Sequence, residues 1–223
     1  MERLTQVLQR IRKAEIRAGR PEGAVTLLAV SKTQPAAAIR ALAQAGQRHF
    51  GENYLQEALA KQEELADLSD LVWHFIGPIQ SNKTRFIASR FDWVHSVDRL
   101  KIAERLSEQR PAEWPPLNIC LQVNISHETS KSGVDPAELP ELAQAVAKLP
   151  RLRLRGLMAI PAPAHDLEGQ RRPFRELRQT LETLEAPGLD TLSMGMSEDL
   201  EAAILEGATC VRVGTALFGP RLG

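Results

Sequence analysis

Short apolar runs rich in β-branched residues alternate along this chain with longer stretches whose apolar positions recur every three or four residues. The apolar runs are Val25–Ser31, His49–Gly51, Trp73–Ile79, Trp93–Val97, Asn118–Asn124, Arg155–Ile160, Leu192–Gly195 and Cys210–Gly214. Continuous apolar strands separated by helices imply parallel strands covered on both faces. Eight such units favour a closed (β/α)8 barrel of the TIM type over an open doubly wound sheet. Among the intervening helices, the pattern predicts Gln34–Ala45 stopping at Gly46, Asn53–Leu68, and Pro136–Leu149 ending before Pro150.

The two ends of the pattern add one element. Leu4, Val7, Leu8 and Ile11 follow the i, i+3, i+4, i+7 spacing of an amphipathic helix ahead of the first strand. Only eight residues follow Thr215, too few for a full eighth helix, so the additional N-terminal helix is expected to cover the wall that helix would leave bare. The irregular segment Pro161-Ala-Pro163-Ala-His165 reads as a loop after the sixth strand, and there is no internal repeat.

Length and charge narrow the picture. At 223 residues the chain reads as one domain over 1–223. Its 28 Lys and Arg balance its 28 Asp and Glu, so nothing suggests general affinity for nucleic acid or an anionic membrane, and any bound anion needs a local site. The charged N-terminus carries no signal peptide or membrane span, which predicts a cytoplasmic protein. Cys120 and Cys210 lie in apolar runs without ligand spacing and are expected to be reduced core residues. His49, His74, His95, His127 and His165 show no metal-site pattern, and no metal is expected.

Four segments are candidates for chemistry. In LLAVSKTQP (27–35), period-two alternation puts Thr26, Leu28, Val30 and Lys32 on one face, with Lys32 at the C-terminal mouth where barrel active sites form. Partial desolvation there raises the share of neutral amine able to attack an aldehyde, although an isolated strand-ending lysine more often simply reaches water. In CVRVGTALFG (210–219), Arg212 faces the barrel interior, and the amides of Gly214, Thr215 and Ala216 can form a phosphate-binding nest; an ordinary strand-to-turn junction explains the segment equally well. Ser197 in LSMGMSEDLEAAILEG (192–207) is a candidate N-cap of a helix running to Gly207, with free amides suited to phosphate. Glu198 and Asp199 would then occupy its first turn and repel a dianion unless turned away. Asn53 and His74 stand at or near strand ends, able to contact a bound ring, though a satisfied core histidine is the commoner role for His74.

Taken together, AVSKTQP (29–35), FGENYLQEA (50–58), WHFIGPIQSNK (73–83), QVNISHETSKSG (122–133), GLMAIP (156–161), LSMGMSEDLEAAI (192–204) and VRVGTALFG (211–219) resemble the pyridoxal phosphate homeostasis protein family, small relatives of the N-terminal barrel of alanine racemase. The resemblance covers nearly the whole chain. It implies a pyridoxal 5′-phosphate (PLP) barrel of fold type III, with Lys32 as the Schiff-base lysine and Arg212 against the pyridine nitrogen. It further implies that Ser197, Gly214 and Thr215 hold the phosphate and that Asn53 lies beside the cofactor.

A guanidinium at the pyridine nitrogen keeps it unprotonated, which makes the ring a poor electron sink. Alanine racemases supply a second base, a tyrosine, from another domain, whereas the only tyrosine here is Tyr54. The expected role is therefore reversible PLP holding in vitamin B6 and amino-acid homeostasis, without dedicated turnover and with transfer to PLP-dependent apo-enzymes, from a monomer. Two alternatives stay open: a weak PLP-dependent racemase in which water or His74 replaces the missing base, and a Schiff-base aldolase that uses the lysine without PLP.

Overall fold

The computed structural model describes residues 2–126 and 132–219; the part of QVNISHETSKSG from 127 to 131, with His127, lies outside them. The chain opens with α1 (Glu2–Arg17) and continues through β1 (Thr26–Val30), α2 (Ala36–Gln44), β2 (His49–Glu52), α3 (Leu55–Glu64) and β3 (Val72–Phe75). A 3-10 turn (Ser81–Lys83) precedes α4 (Thr84–Arg90), followed by β4 (Trp93–Val97), α5 (Leu100–Gln109), β5 (Leu117–Gln122), α6 (Leu139–Ala147) and β6 (Leu152–Met158). The last units are α7 (Leu167–Thr183), β7 (Thr191–Ser193), α8 (Leu200–Leu205), β8 (Cys210–Val213) and the single turn α9 (Thr215–Phe218). All eight strands pair in parallel in chain order, and β1 pairs with β8 to close the barrel.

The eight expected strands are present, with shifted ends. β6 starts three residues earlier than its apolar run, because Arg153 breaks the apolar pattern ahead of that run without interrupting the strand. Arg155 is accommodated by a bidentate pair with Asp190 (2.8 and 2.7 Å) and a hydrogen bond to Asn118 Oδ1 (2.9 Å). Helix α2 begins after Pro35, which sits extended at φ −70°, ψ 154° as its N-cap, two residues later than the pattern suggests. Helix α6 likewise starts at Leu139 with Pro140 in its first turn, where the missing amide costs nothing.

Two layers of side chains fill the structure. The larger one lies between strands and helices and includes Phe50, Phe91, Ile102, Leu121 and Phe174. Leu28, Cys120, Met158 and Cys210 are buried but outside that cluster, as alternation requires of side chains pointing into the barrel. Closure is tight at Gly156, where an added Cβ would lie 1.8 Å from Thr191 O.

Helix α1 packs against α8 and α9 through Leu4, Val7, Ile11 and Ala14. Leu8 of the expected stripe is instead 46% exposed. Polar bonds fix the helix: Arg10 holds Glu201 at 2.7 and 2.8 Å, and the buried carboxylate of Glu15 accepts from Val25 N at 2.9 Å.

Candidate functional site

Because all strands are parallel, the residues that follow them gather at one end of the barrel. Lys32 lies just beyond β1, Asn53 beyond β2, Ser197 beyond β7, and Gly214 and Thr215 beyond β8. Lys32, half-buried, shares a small pocket with Val30, Gln34, Gly214, Thr215 and Phe218. Its neighbour Thr33 adopts a left-handed φ of 64°, unusual for a β-branched residue, so the chain turns sharply as it leaves the strand. Gly214 is the N-cap of α9, whose first amides lack intrahelical acceptors by position and open on the same pocket as Lys32.

Ser197 departs from the expected arrangement. It lies in the turn before α8, and the cap is Asp199, whose Oδ1 accepts from Met196 N at 2.6 Å. The helix therefore starts at Leu200, and the acid in its first turn is Glu201, held by Arg10. Arg10 also donates to Ser197 O at 2.9 Å, tying the turn to α1. Glu198 and Asp199 belong to this turn and do not fill the first turn of the helix. Ser197 is not among the residues lining the Lys32 pocket.

Asn53 is held by close backbone packing: at Gly77, any Cβ would come within 2.1 Å of Asn53 O. Its side-chain Oδ1 is buried and has no hydrogen-bond partner, an acceptor awaiting a donor.

Arg212 projects from β8 into the barrel and is 4% exposed. It donates to Ser193 O (2.6 Å), Ser193 Oγ (2.8 Å) and Ala159 O (2.8 Å), all uncharged oxygens. Burial lowers its pKa from the usual guanidinium value. A buried cation bonded to neutral acceptors alone favours an electron-rich partner.

Sequence reasoning did not anticipate what stands behind Arg212. Ser193 Oγ lies 2.7 Å from His95 Nδ1, His95 Nε2 lies 2.8 Å from His74 Nδ1, and His74 Nε2 lies 3.0 Å from His49 Nδ1. The chain of rings runs down the barrel to a cavity of about 260 Å³ at the opposite, N-terminal end, lined by Thr26, His49, Trp93, Arg155 and Thr209 among others. Burial first, then the charges of Arg212 and His49, lowers His95 to a pKa of about 3. His74 is likewise pushed far below the ordinary histidine value, chiefly by burial. It is a satisfied core histidine: both ring nitrogens are occupied, and the ring stacks on Trp93 at 5.6 Å.

The cysteines line the barrel interior, and burial raises both thiol pKa values, that of Cys210 to about 11. Among the described residues, no group of His, Cys, Asp and Glu is arranged to hold a metal ion, and no helix is long and apolar enough to cross a membrane.

A family model described as "Alanine racemase, N-terminal domain" matches residues 3–221. The pyridoxal phosphate homeostasis protein of Pseudomonas aeruginosa is 67% identical over 220 residues, spanning 99% of this chain and 95% of that protein. Its counterpart in Escherichia coli is 56% identical over 222 residues, spanning 98% and 95%. The structure of PipY from Synechococcus elongatus with PLP bound superposes with a TM-score of 0.83 at 44% identity, covering 96% of this chain and 100% of that one. The chain thus belongs to the pyridoxal phosphate homeostasis protein family, whose barrel is that of the alanine racemase N-terminal domain.

Proposed function

We propose that this protein binds PLP covalently through Lys32 and acts in intracellular PLP and amino-acid homeostasis without a dedicated turnover reaction. The observation that carries the reading is the shared pocket of Lys32, Gly214 and Thr215 at the barrel mouth. The remaining groups fit the same ligand. Arg212 is a buried donor with no carboxylate bond among the described residues, suited to an unprotonated ring nitrogen, and Asn53 Oδ1 is a buried acceptor without a donor there. Bound there, PLP supplies an aldehyde that condenses reversibly with a primary amine, releasing water.

Each residue has a part in holding it. Lys32 provides the amine at the barrel mouth. The amides beginning at Gly214 and the Thr215 hydroxyl receive the phosphate, with Ser197 contributing from the β7–α8 turn. Arg212 donates to the ring nitrogen and, as a cation, opposes its protonation. Asn53 steadies the ring edge. Neither candidate for a second base is placed to serve: Tyr54 is 55% exposed, and His74 has both nitrogens engaged.

In this reading the barrel, one domain over 1–223, works as a monomer in the cytoplasm and surrenders PLP to PLP-dependent apo-enzymes. The test is the absorbance spectrum of PLP-treated protein. Wild type shows the band of the covalent adduct and Lys32→Ala loses it; a band that survives Lys32→Ala overturns the assignment.

A further inference from the structure

Behind Lys32, on the outward face of the strand ends, lies a buried cluster of charge. Lys61 of α3 is 6% exposed, and its Nζ donates to Ser31 O (2.7 Å), to Glu52 Oε1 (2.8 Å) and to Glu57 Oε1. Glu52 is fully buried and also accepts from Ser31 Oγ at 2.6 Å. Glu57 accepts from the backbone N–H of Thr33 at 2.5 Å. Ser31 and Thr33 are the residues on either side of Lys32. One network thus grips the peptide before the lysine through Lys61 and Glu52, and the peptide after it through Glu57.

The grip has a specific task at Thr33. Its φ of 64° disfavours a β-branched residue, and relaxing it would swing the peptide that carries the Lys32 side chain. Glu57 holds that strained peptide because its side chain is long enough to bring an acceptor oxygen to the Thr33 N–H. Lys61 in turn fixes the Glu57 carboxylate from the neighbouring turn of the same helix. Buried ion pairs contribute little net stability as a rule, which leaves positional control as the role this one performs best.

We infer that Glu57, Lys61 and Glu52 are positioning residues for Lys32, orienting its amine toward the mouth by clamping the backbone on both sides. The inference rests on the assignment of Lys32 as the PLP-binding lysine, and its test includes a readout that needs no PLP. Two conservative variants of Glu57, whose side chain is 29% exposed, separate reach from charge. Glu57→Gln keeps an acceptor oxygen at the same reach for Thr33 N–H; Glu57→Asp keeps the charge beside Lys61 but is one methylene too short.

Two rates are measured on each full-length protein: PLP capture by the PLP-free form, followed by absorbance across pH, and labelling of Lys32 by an acylating reagent without PLP, read by peptide mass spectrometry. Glu57→Asp is expected to slow capture about tenfold, the equivalent of one hydrogen bond, and to shift the pH profile of Lys32 labelling. Glu57→Gln should stay within about threefold of wild type on the same scale. Equal rates in both variants, or a larger loss in Glu57→Gln, as a plain ion-pair role predicts, would overturn the inference. If wild type itself captured no PLP, the assignment of Lys32 would fall, and the labelling profile would still decide whether the clamp exists.

Discussion

Acidification should destabilise this barrel through its internal histidines. His95 has a pKa of about 3 in the folded protein against 6.5 when unconstrained. A base whose folded pKa is depressed contributes stability that is fully present above the unfolded value and is lost as pH falls below it, because the unfolded chain binds the proton first. Each pH unit below 6.5 costs about 1.36 kcal/mol until the folded pKa is reached, so a drop from pH 7.5 to 5.0 removes about 2 kcal/mol through His95. His74 acts in the same direction. Glu52 and Asp199, whose carboxyls burial pushes up, act in the opposite one. The informative quantity is therefore a difference between proteins. Urea unfolding at both pH values should give wild type a loss about 2 kcal/mol larger than that of His95→Gln, which retains a hydrogen-bonding side chain but does not titrate. Equal pH dependence in the two proteins, or a His95 ring that titrates near 6.5 by NMR, would refute the reasoning.

Other outcomes follow from the packing. Ser193→Ala removes the hydroxyl shared by Arg212 and His95 and should cost about 2–4 kcal/mol, seen as a lower urea midpoint with an unchanged slope. Gly156→Ala forces a Cβ onto Thr191 O and should destabilise by about 3 kcal/mol or more; a melting temperature within a degree or two of wild type would show that β6 and β7 separate easily. Removing residues 1–18 uncovers α8 and α9 and should lower the melting temperature markedly, with no change expected only if α1 packs without consequence. Cys120 and Cys210 should resist a thiol reagent in the folded protein and react once urea unfolds it.

Much of this was legible in the sequence because barrel strands carry a simple code. Period-two alternation from Thr26 directs Lys32 to the mouth, and the same rule directs Arg212 inward with Gly214 at the strand exit. Local punctuation was harder to read. Ser197 has the chemistry of a cap, but the side chain of Asp199 reaches back to Met196 N and claims that position two residues later. The histidine chain was hidden for a different reason. His49, His74 and His95 are separated by 25 and 21 residues, and only the stagger between neighbouring strands brings their nitrogens to 3 Å. Lys61 was hidden too: in a helix reading LQEALAKQEE it looks like one of many solvated charges, and only the lie of α3 over the strand ends buries it.

The string from Arg212 to His49 behaves as a unit. A guanidinium only donates, so the Ser193 hydroxyl accepts from Arg212 and keeps one hydrogen of its own to place. Each neutral ring of His95, His74 and His49 carries one N–H and offers one bare nitrogen, so their bonds must all run in the same sense along the string. The three tautomers are therefore set together rather than ring by ring, and a change at Ser193 or at His49 resets them all. The string is a spine that ties the anchoring of Arg212 at the mouth to the cavity at the far end of the barrel.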